Sequence, residues 1–85
     1  MKVAYNPDAR ADLARLQKQL VRRIVDKVHW FAEQLDPLHF AVPVKGTRGF
    51  FRFRVGDYRV VFTPNKEEIV VLLVVAIKHR NIVYR

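Results

Sequence analysis

The sequence contains no cysteine among its 85 residues, which excludes disulfide bonds and thiolate chemistry. Long apolar segments are missing too, because the longest run, Ile69 to Ile77, is far shorter than the ~20 residues that a membrane-spanning helix requires. The first residues, Met1 to Pro7, lack the apolar core of a signal peptide. These absences predict a cytoplasmic protein without a membrane segment.

Acidic residues are scarce relative to basic ones. The chain has 8 Asp and Glu residues against 16 Lys and Arg residues, which gives a formal net charge of +8. Residues 1–44 hold seven basic and five acidic side chains, and residues 45–85 hold nine and three, so the excess is +2 and then +6. The positive field of the second half attracts nucleic acid, an anionic membrane or an acidic protein without choosing among them.

Motifs for metals and for common cofactors are missing as well. No two of the three histidines have the i, i+4 spacing of a zinc-binding helix, and no acidic pair stands near them. Glycine-rich phosphate loops and the Gly-x-Ser-x-Gly elbow are absent. We therefore expect no metal and no cofactor. His29 and Trp30 are expected to be packing and surface residues of a helix, and nothing distinguishes His39.

The length of the chain predicts a single domain over residues 1–85, which opens with a strand at Lys2 to Tyr5. Asn6-Pro7-Asp8 then predicts a helix start, with Asn as the cap and Pro at the first helical position. Apolar residues follow at helical spacing as far as position 35. An unbroken helix would be about 43 Å long at ~1.5 Å per residue, so we predict a bend at Gln17-Lys18-Gln19. Asp36-Pro37 is predicted to end the second helix of this hairpin.

The most informative segment, Phe50 to Phe62, predicts a β-hairpin. Gly56 and Asp57 lie between two runs rich in aromatic and β-branched residues and suit a two-residue loop. Such a loop places Arg54 opposite Arg59, and a four-residue loop would preserve that pairing, whereas a three-residue loop would change it. One face of the hairpin then carries Phe51, Phe53, Val55, Tyr58, Val60 and Phe62. The other face carries Arg52, Arg54 and Arg59.

Three guanidinium groups on one face repel each other unless an anion neutralises them. Arginine remains charged at physiological pH, and its planar fork binds phosphate oxygens in pairs. The pattern therefore indicates a site for a nucleic-acid backbone or a phosphoryl transition state. The alternative is a solvated strand face whose arginines keep the protein soluble.

The remaining segments complete a small sheet. A loop through Pro43 leads to the hairpin, and Thr63-Pro64-Asn65-Lys66 is predicted to be a second turn. The uniformly apolar stretch Glu67 to Ile77 predicts a central strand with both faces covered. Ile82-Val83-Tyr84 suits one more short strand. The predicted fold is α+β, with an N-terminal strand and a helical hairpin packed on a small, mainly antiparallel sheet in the order β-α-α-β-β-β.

This order of elements, together with particular residues, resembles the RelE/ParE superfamily of toxins from toxin-antitoxin pairs, most closely the RelE-type messenger-RNA endonucleases. The resemblance rests on Lys45-Gly46, Phe51-Arg52-Phe53-Arg54, Gly56-Asp57-Tyr58-Arg59 and the segment from Lys78 to Tyr84. It implies a toxin that cuts messenger RNA in the ribosomal A site and is silenced by an antitoxin wrapped around it. The implied partners are thus a cognate antitoxin, the ribosome and mRNA.

The chemistry implied by this resemblance is attack of a ribose 2′-hydroxyl on the adjacent phosphate, which leaves a 2′,3′-cyclic phosphate and a 5′-hydroxyl. Arg59 matches the family's turn arginine and would stabilise the charge on phosphorus. Arg52 and Arg54 stand where RelE-type enzymes often carry lysines, and arginine cannot act as a conventional general base. Lys78 stands where the family often has arginine and is the first choice for acid or base. Tyr84 matches a tyrosine that stacks on or orients the messenger, or else it closes the core.

Other basic residues have secondary roles in this reading. His79 is a second candidate for acid or base, because its ordinary pKa near 6.5 suits proton transfer although its predicted direction does not. Lys45, Arg48 and Arg80 are expected to bind the RNA backbone, and the alternative for the first two is a solvated loop.

Two other functions are compatible with the same resemblance. One is a ParE-like protein that inhibits DNA gyrase by binding rather than by cutting RNA. The other is a non-catalytic, RNA-binding homologue of the toxins. The cluster of arginines with Lys78 and Tyr84 favours the nuclease.

Overall fold

A computed structural model of the protein describes residues 1–77. The elements in chain order are β1 (Lys2–Tyr5), α1 (Pro7–Ala14), α2 (Lys18–Glu33), a 3₁₀ helix (Pro37–Phe40), β2 (Val42–Pro43), β3 (Phe51–Val55), β4 (Tyr58–Asn65) and β5 (Glu68–Ala76). No helix within this part of the chain has the length and apolar character that crossing a membrane would take.

The strands form one sheet in the order β1-β5-β4-β3-β2. β1 runs parallel to β5, and every other neighbouring pair is antiparallel. The predicted α+β fold is therefore confirmed. β2 was not predicted, because it contributes only Val42 and Pro43, which pair with Arg52 and Phe51. A two-residue strand that contains proline has no periodicity by which a sequence could reveal it.

The helical hairpin begins and bends where the sequence predicts. Asn6 caps α1, and its Oδ1 accepts a hydrogen bond of 2.9 Å from the amide of Ala9. α1 ends at Ala14 and α2 begins at Lys18, so the break lies at the polar stretch. α2 ends at Glu33, slightly before the predicted Asp36-Pro37, because Pro37 starts the 3₁₀ helix instead.

The core lies between the helices and one face of the sheet. Its largest fully buried side chains are Ile24, Val28, Val60, Phe62, Ile69 and Val71. Phe31 of α2 stacks on Phe53 of β3 with ring centroids 3.9 Å apart. This contact fixes α2 over the first strand of the arginine hairpin, with about 2 kcal/mol gained from burying each ring.

The side chain of Tyr5 enters this core without a polar partner. Its hydroxyl is buried and has no hydrogen-bond partner among residues 1–77. Burial raises the pKa of Tyr5 above 10.0, since a phenolate is poorly solvated there.

The second turn, predicted at residues 63–66, is placed wrongly, because the observed turn begins three residues later. β4 continues to Asn65, and the chain turns at Lys66 and Glu67. Pro64 therefore lies in a strand, where it pairs with Ile69. The strand tolerates this proline because β3 begins only opposite Phe62, so that within residues 1–77 β4 has no neighbouring strand on that side at position 64.

The predicted coverage of both faces of β5 is also wrong. Ile69, Val71 and Val74 are buried, whereas Leu73 and Val75 are each 38% exposed. An irregularity between Val61 and Phe62 of the neighbouring strand changes the register of the pairing with β5. The helices cover only one side of the sheet, which leaves aliphatic residues on the other.

Candidate functional site

The β3–β4 turn has the conformation that the sequence predicts. Gly56 has φ of +58°, and no residue other than glycine has a positive φ in the described chain. A positive φ at the first loop position alone is the pattern of a type II′ turn, whose twist matches that of the flanking strands. Arg54 pairs with Arg59 as a consequence, which confirms the predicted register.

The three arginines of the hairpin lie on the sheet face opposite the helices, which we call the open face. Their neighbours along the strands, Phe53, Val55 and Val60, are buried in the core, so alternation directs the arginines the other way. Arg52 and Arg59 are half-buried and Arg54 is exposed. Directly opposed Cβ atoms lie about 5 Å apart, and alternate residues of one strand lie about 7 Å apart, so the cations fall within reach of one phosphodiester.

Aliphatic side chains border the arginines on the open face. Arg59 pairs with Val75 of β5, and Val61, which lies opposite Arg52, pairs with Leu73. The guanidinium groups therefore stand beside apolar surface rather than among acidic groups. A lower local dielectric strengthens their attraction for an anion.

No side chain within residues 1–77 neutralises this cluster by hydrogen bonding. The side-chain hydrogen bonds of the described chain involve none of the guanidinium groups of Arg52, Arg54 and Arg59. Among the residues that the structure describes, nothing occupies these donors by a side-chain hydrogen bond, so they can bind a ligand. An anion with several oxygen atoms is the natural acceptor.

The loop before β3 closes one end of the open face. Thr63 alternates with the buried Phe62, and its Oγ1 donates a hydrogen bond of 2.7 Å to the carbonyl oxygen of Gly49. This bond holds the loop that carries Lys45 and Arg48 against β4, at the end of the face remote from the turn. Both basic side chains are exposed, and no side-chain hydrogen bond among residues 1–77 joins them to the hairpin arginines.

The chain leaves the described residues beside the arginine pair. The amide of Ile77 donates a hydrogen bond of 2.6 Å to the carbonyl oxygen of Asp57 in the turn. Lys78 follows directly in the sequence. The predicted site residues Lys78, His79, Arg80 and Tyr84, and the predicted strand at 82–84, lie outside the described residues.

Sequence reasoning missed a second basic surface, on α2. A groove of about 490 Å³ runs between this helix and the turn and is lined by Arg23, Asp26, Lys27, Trp30, Arg54, Val55 and Gly56. Residues 23, 27 and 30 follow the i, i+4, i+7 spacing of one helix face, which is the signal that could have revealed it. The packing and surface role predicted for Trp30 is confirmed, because the residue is 41% exposed and its ring packs edge-on against Phe31.

Metal ligands do not cluster in the part of the chain that the structure describes. It contains no group of three or more His, Cys, Asp or Glu residues that could hold a metal ion. His29 and His39 are both exposed.

Comparison with known proteins relates this fold to toxins. The model of the family described as ParE toxin of type II toxin-antitoxin system, parDE, matches residues 3–84. A search of curated proteins gives no match.

Several solved structures share the fold. A chain of the RelBE2 toxin-antitoxin complex from Mycobacterium tuberculosis is 25% identical, with 88% of each chain covered and a TM-score of 0.76. A chain of the archaeal RelE-RelB complex from Pyrococcus horikoshii is 24% identical over 88% of this chain and 92% of that chain, with a TM-score of 0.68. A chain of the chromosomal ParDE system from P. aeruginosa is 17% identical over 92% of this chain and 97% of that chain, with a TM-score of 0.74. These findings confirm the predicted resemblance to the superfamily.

Proposed function

Since this chain belongs to the ParE toxin family of type II toxin-antitoxin systems, we propose that it is the RelE-type member of such a pair, a ribosome-dependent messenger-RNA endonuclease. That it is a toxin of the RelE/ParE type follows from the family match over residues 3–84 and from the related complexes. A cognate antitoxin is its expected partner. The proposal adds the substrate, mRNA on the ribosome, and the chemistry.

One observation carries the proposal: Arg54 lies directly opposite Arg59 on the open face, and Arg52 lies two residues along the same strand. Opposed like charges lower the stability of a hairpin. A protein that only binds through apolar contact has no use for this arrangement. Phosphoryl transfer is favoured by it, because negative charge accumulates on the phosphate oxygens in the transition state.

In the proposed reaction, a ribose 2′-oxygen forms a bond to the adjacent phosphorus as the bond from phosphorus to the 5′-oxygen breaks. The 2′-hydroxyl loses its proton to a base, and the departing 5′-oxygen gains a proton from an acid. Arg59 and Arg54 neutralise the charge on the non-bridging oxygens, and Arg52 positions the backbone. Lys78, or His79 in its place, transfers protons, and Tyr84 orients the messenger. Since the arginines cannot accept the proton and Lys78 or His79 must do so, positioning of the messenger by the ribosome supplies much of the rate of cleavage.

The test is to translate a defined mRNA on purified ribosomes with the toxin and to map the new ends. We expect cuts within the A-site codon that leave 2′,3′-cyclic phosphate and 5′-hydroxyl ends, with little cleavage of the same RNA free in solution. Arg59→Gln should slow cleavage by about 100-fold, the loss typical of removing one charge-stabilising donor. Arg22→Gln, a change of the same charge on the exposed surface of α2, is the matched control. Unaltered cleavage by the Arg59 variant, or rapid cutting of free RNA by the pure protein, would refute the proposal.

A second candidate is a ParE-like inhibitor of DNA gyrase. The observation that favours it is the exposed aliphatic surface of Leu73 and Val75 on the open face, which suits a protein partner. Supercoiling by purified gyrase distinguishes the two functions. Inhibition of supercoiling together with normal translation would establish this candidate in place of the nuclease.

A further inference from the structure

The groove between α2 and the β3–β4 turn lies outside the open face but touches it through Arg54. Arg54 pairs with Arg59 on the open face and also lines the groove. This double position follows from the edge of the sheet: β2 pairs with β3 only at Phe51 and Arg52, so residues 53–55 have β4 on one side and no neighbouring strand on the other within residues 1–77. A ligand can therefore pass from one surface to the other around this edge.

The lining of the groove carries an excess of positive charge. Its lining has three cations, Arg23, Lys27 and Arg54, and one acid, Asp26. None of these side chains takes part in the side-chain hydrogen bonds found in the described part of the chain. The groove therefore offers a concave surface with a net charge of +2 and unused donors.

Neighbouring groups hold the cations of α2 in place. The Lys27 ammonium lies 4.5 Å from the centroid of the Trp30 ring, within the range of a cation–π interaction. Arg23 lies against the turn, since a Cβ atom at Gly56 would be only 3.2 Å from its Nη2. A glycine at this position leaves the guanidinium room beside the backbone. Both cations are thus partly ordered before any ligand binds, which lowers the entropic cost of binding.

We propose that this groove is an RNA-backbone exosite, in which Arg23 and Lys27 bind phosphates of the strand that continues past Arg54 from the open face. This inference rests on the proposed function for the identity of the strand, although binding requires no cleavage. Because Arg23 and Lys27 lie on α2, outside the arginine pair, they contribute to affinity and not to the chemical step.

An acidic peptide fits the groove less well than a phosphate chain. Strand addition needs a run of unpaired backbone groups, and in the described part of the chain the unpaired edge of β3 extends over only residues 53–55. Binding of a phosphate chain needs only cations spaced along its path. Arg54 at the edge of β3 and the i, i+4 pair Arg23 and Lys27 on α2 supply them.

The experiment compares two double variants of α2 that lose the same charge. Arg23→Gln with Lys27→Gln removes the groove cations. Lys18→Gln with Arg22→Gln removes two cations that line a different surface of the same helix. Binding of a fluorescent single-stranded 12-nucleotide RNA is measured by anisotropy between 50 and 300 mM NaCl, with circular dichroism to verify folding, and a poly-glutamate peptide of equal charge is the second probe.

Each phosphate contact on a single strand contributes a slope of about 0.7 to log K against log salt, so the groove variant should lose about 1.4 in slope and bind about 25-fold more weakly at 0.1 M salt. The control variant should retain both the slope and most of the affinity. The single variant Lys27→Gln should bind the RNA about fivefold more weakly at 0.1 M salt, and this measurement tests the proposal if the double variant unfolds. For an active toxin, the groove variant should weaken substrate binding with little change in the cleavage rate of bound complexes.

Equal losses in both double variants would overturn the exosite, because general attraction by net charge would then explain the binding. Unchanged RNA binding by the groove variant, or binding of poly-glutamate alone through these residues, would also overturn it. If the groove variant loses RNA affinity as expected while the wild type cuts no mRNA on ribosomes, the exosite stands and only the proposed endonuclease fails.

Discussion

The opposed arginines should make the site a source of instability that a single substitution relieves. Arg54→Gln keeps a long polar side chain at an exposed strand position and removes one of the two charges. At a separation of about 6 Å, close to that of directly opposed residues in a sheet, Coulomb's law gives about 0.7 kcal/mol of repulsion at the dielectric constant of water and about 2.8 kcal/mol at an effective value of 20. Exposure of Arg54 favours the lower figure, so we expect a gain of about 0.7 kcal/mol in the free energy of unfolding.

This gain corresponds to a rise in Tm of about 4 °C, since a domain of this size unfolds with an entropy near 0.18 kcal/mol/K. Thermal and urea unfolding measure it, and the difference between variant and wild type should largely vanish in 1 M NaCl, where charges are screened within about 3 Å. Phosphate at low salt should stabilise the wild type more than the variant, because the anion binds the folded site. Arg22→Gln is again the control. A variant less stable than the wild type at low salt, or a gain that persists in 1 M NaCl, would refute the reasoning.

Substitutions at three further positions test other features of the fold by urea unfolding. Tyr5→Phe removes a buried hydroxyl without a partner in the described chain and should stabilise the protein by about 1 kcal/mol. Because the folded pKa of Tyr5 is raised above 10.0, the wild type should lose stability as pH increases beyond that value, and this loss should be smaller in Tyr5→Phe. Gly56→Ala should cost about 1 to 2 kcal/mol, since alanine is strained at a φ of +58° and its Cβ would crowd Arg23; stability equal to the wild type would contradict the turn geometry. Asn6→Ala should lower the free energy of unfolding by about 1 kcal/mol, because α1 loses its cap. Asn6→Asp should retain most of this stabilisation, because its carboxylate can accept the same hydrogen bond.

Local chemistry made much of the fold predictable. Asn6 and Pro7 determine where α1 begins because one supplies the cap and the other lacks the amide that a first turn leaves unpaired. Gly56 determines the type of turn, and the turn determines that Arg54 meets Arg59. Such features depend on residues within a few positions of each other, and no distant contact is needed to specify them.

Segments whose state depends on neighbours were predicted less well. Pro64 resembles a turn residue in sequence, yet it lies in β4, where the pairing with β3 extends only as far as Phe62. The apolar run of β5 predicts burial on both faces, but the helices cover one side only, so Leu73 and Val75 remain partly exposed. The hydrophobicity of a residue indicates whether its burial is favourable. Whether it is buried depends on how many faces of the sheet are covered by a further layer of structure.

The amino-acid sequence by itself determined the hairpin register, the start and bend of the helices, and the gathering of three arginines on one strand face, since each follows from the two-residue and 3.6-residue periods of the backbone. Only the tertiary structure decided that aliphatic residues of β5 border those arginines and that Arg23, Lys27 and Arg54 share a groove. Helix α2 and strand β3 are distant in sequence, and the packing of Phe31 on Phe53 brings their cations together. No local periodicity encodes that contact, because it depends on how the whole helix lies across the sheet.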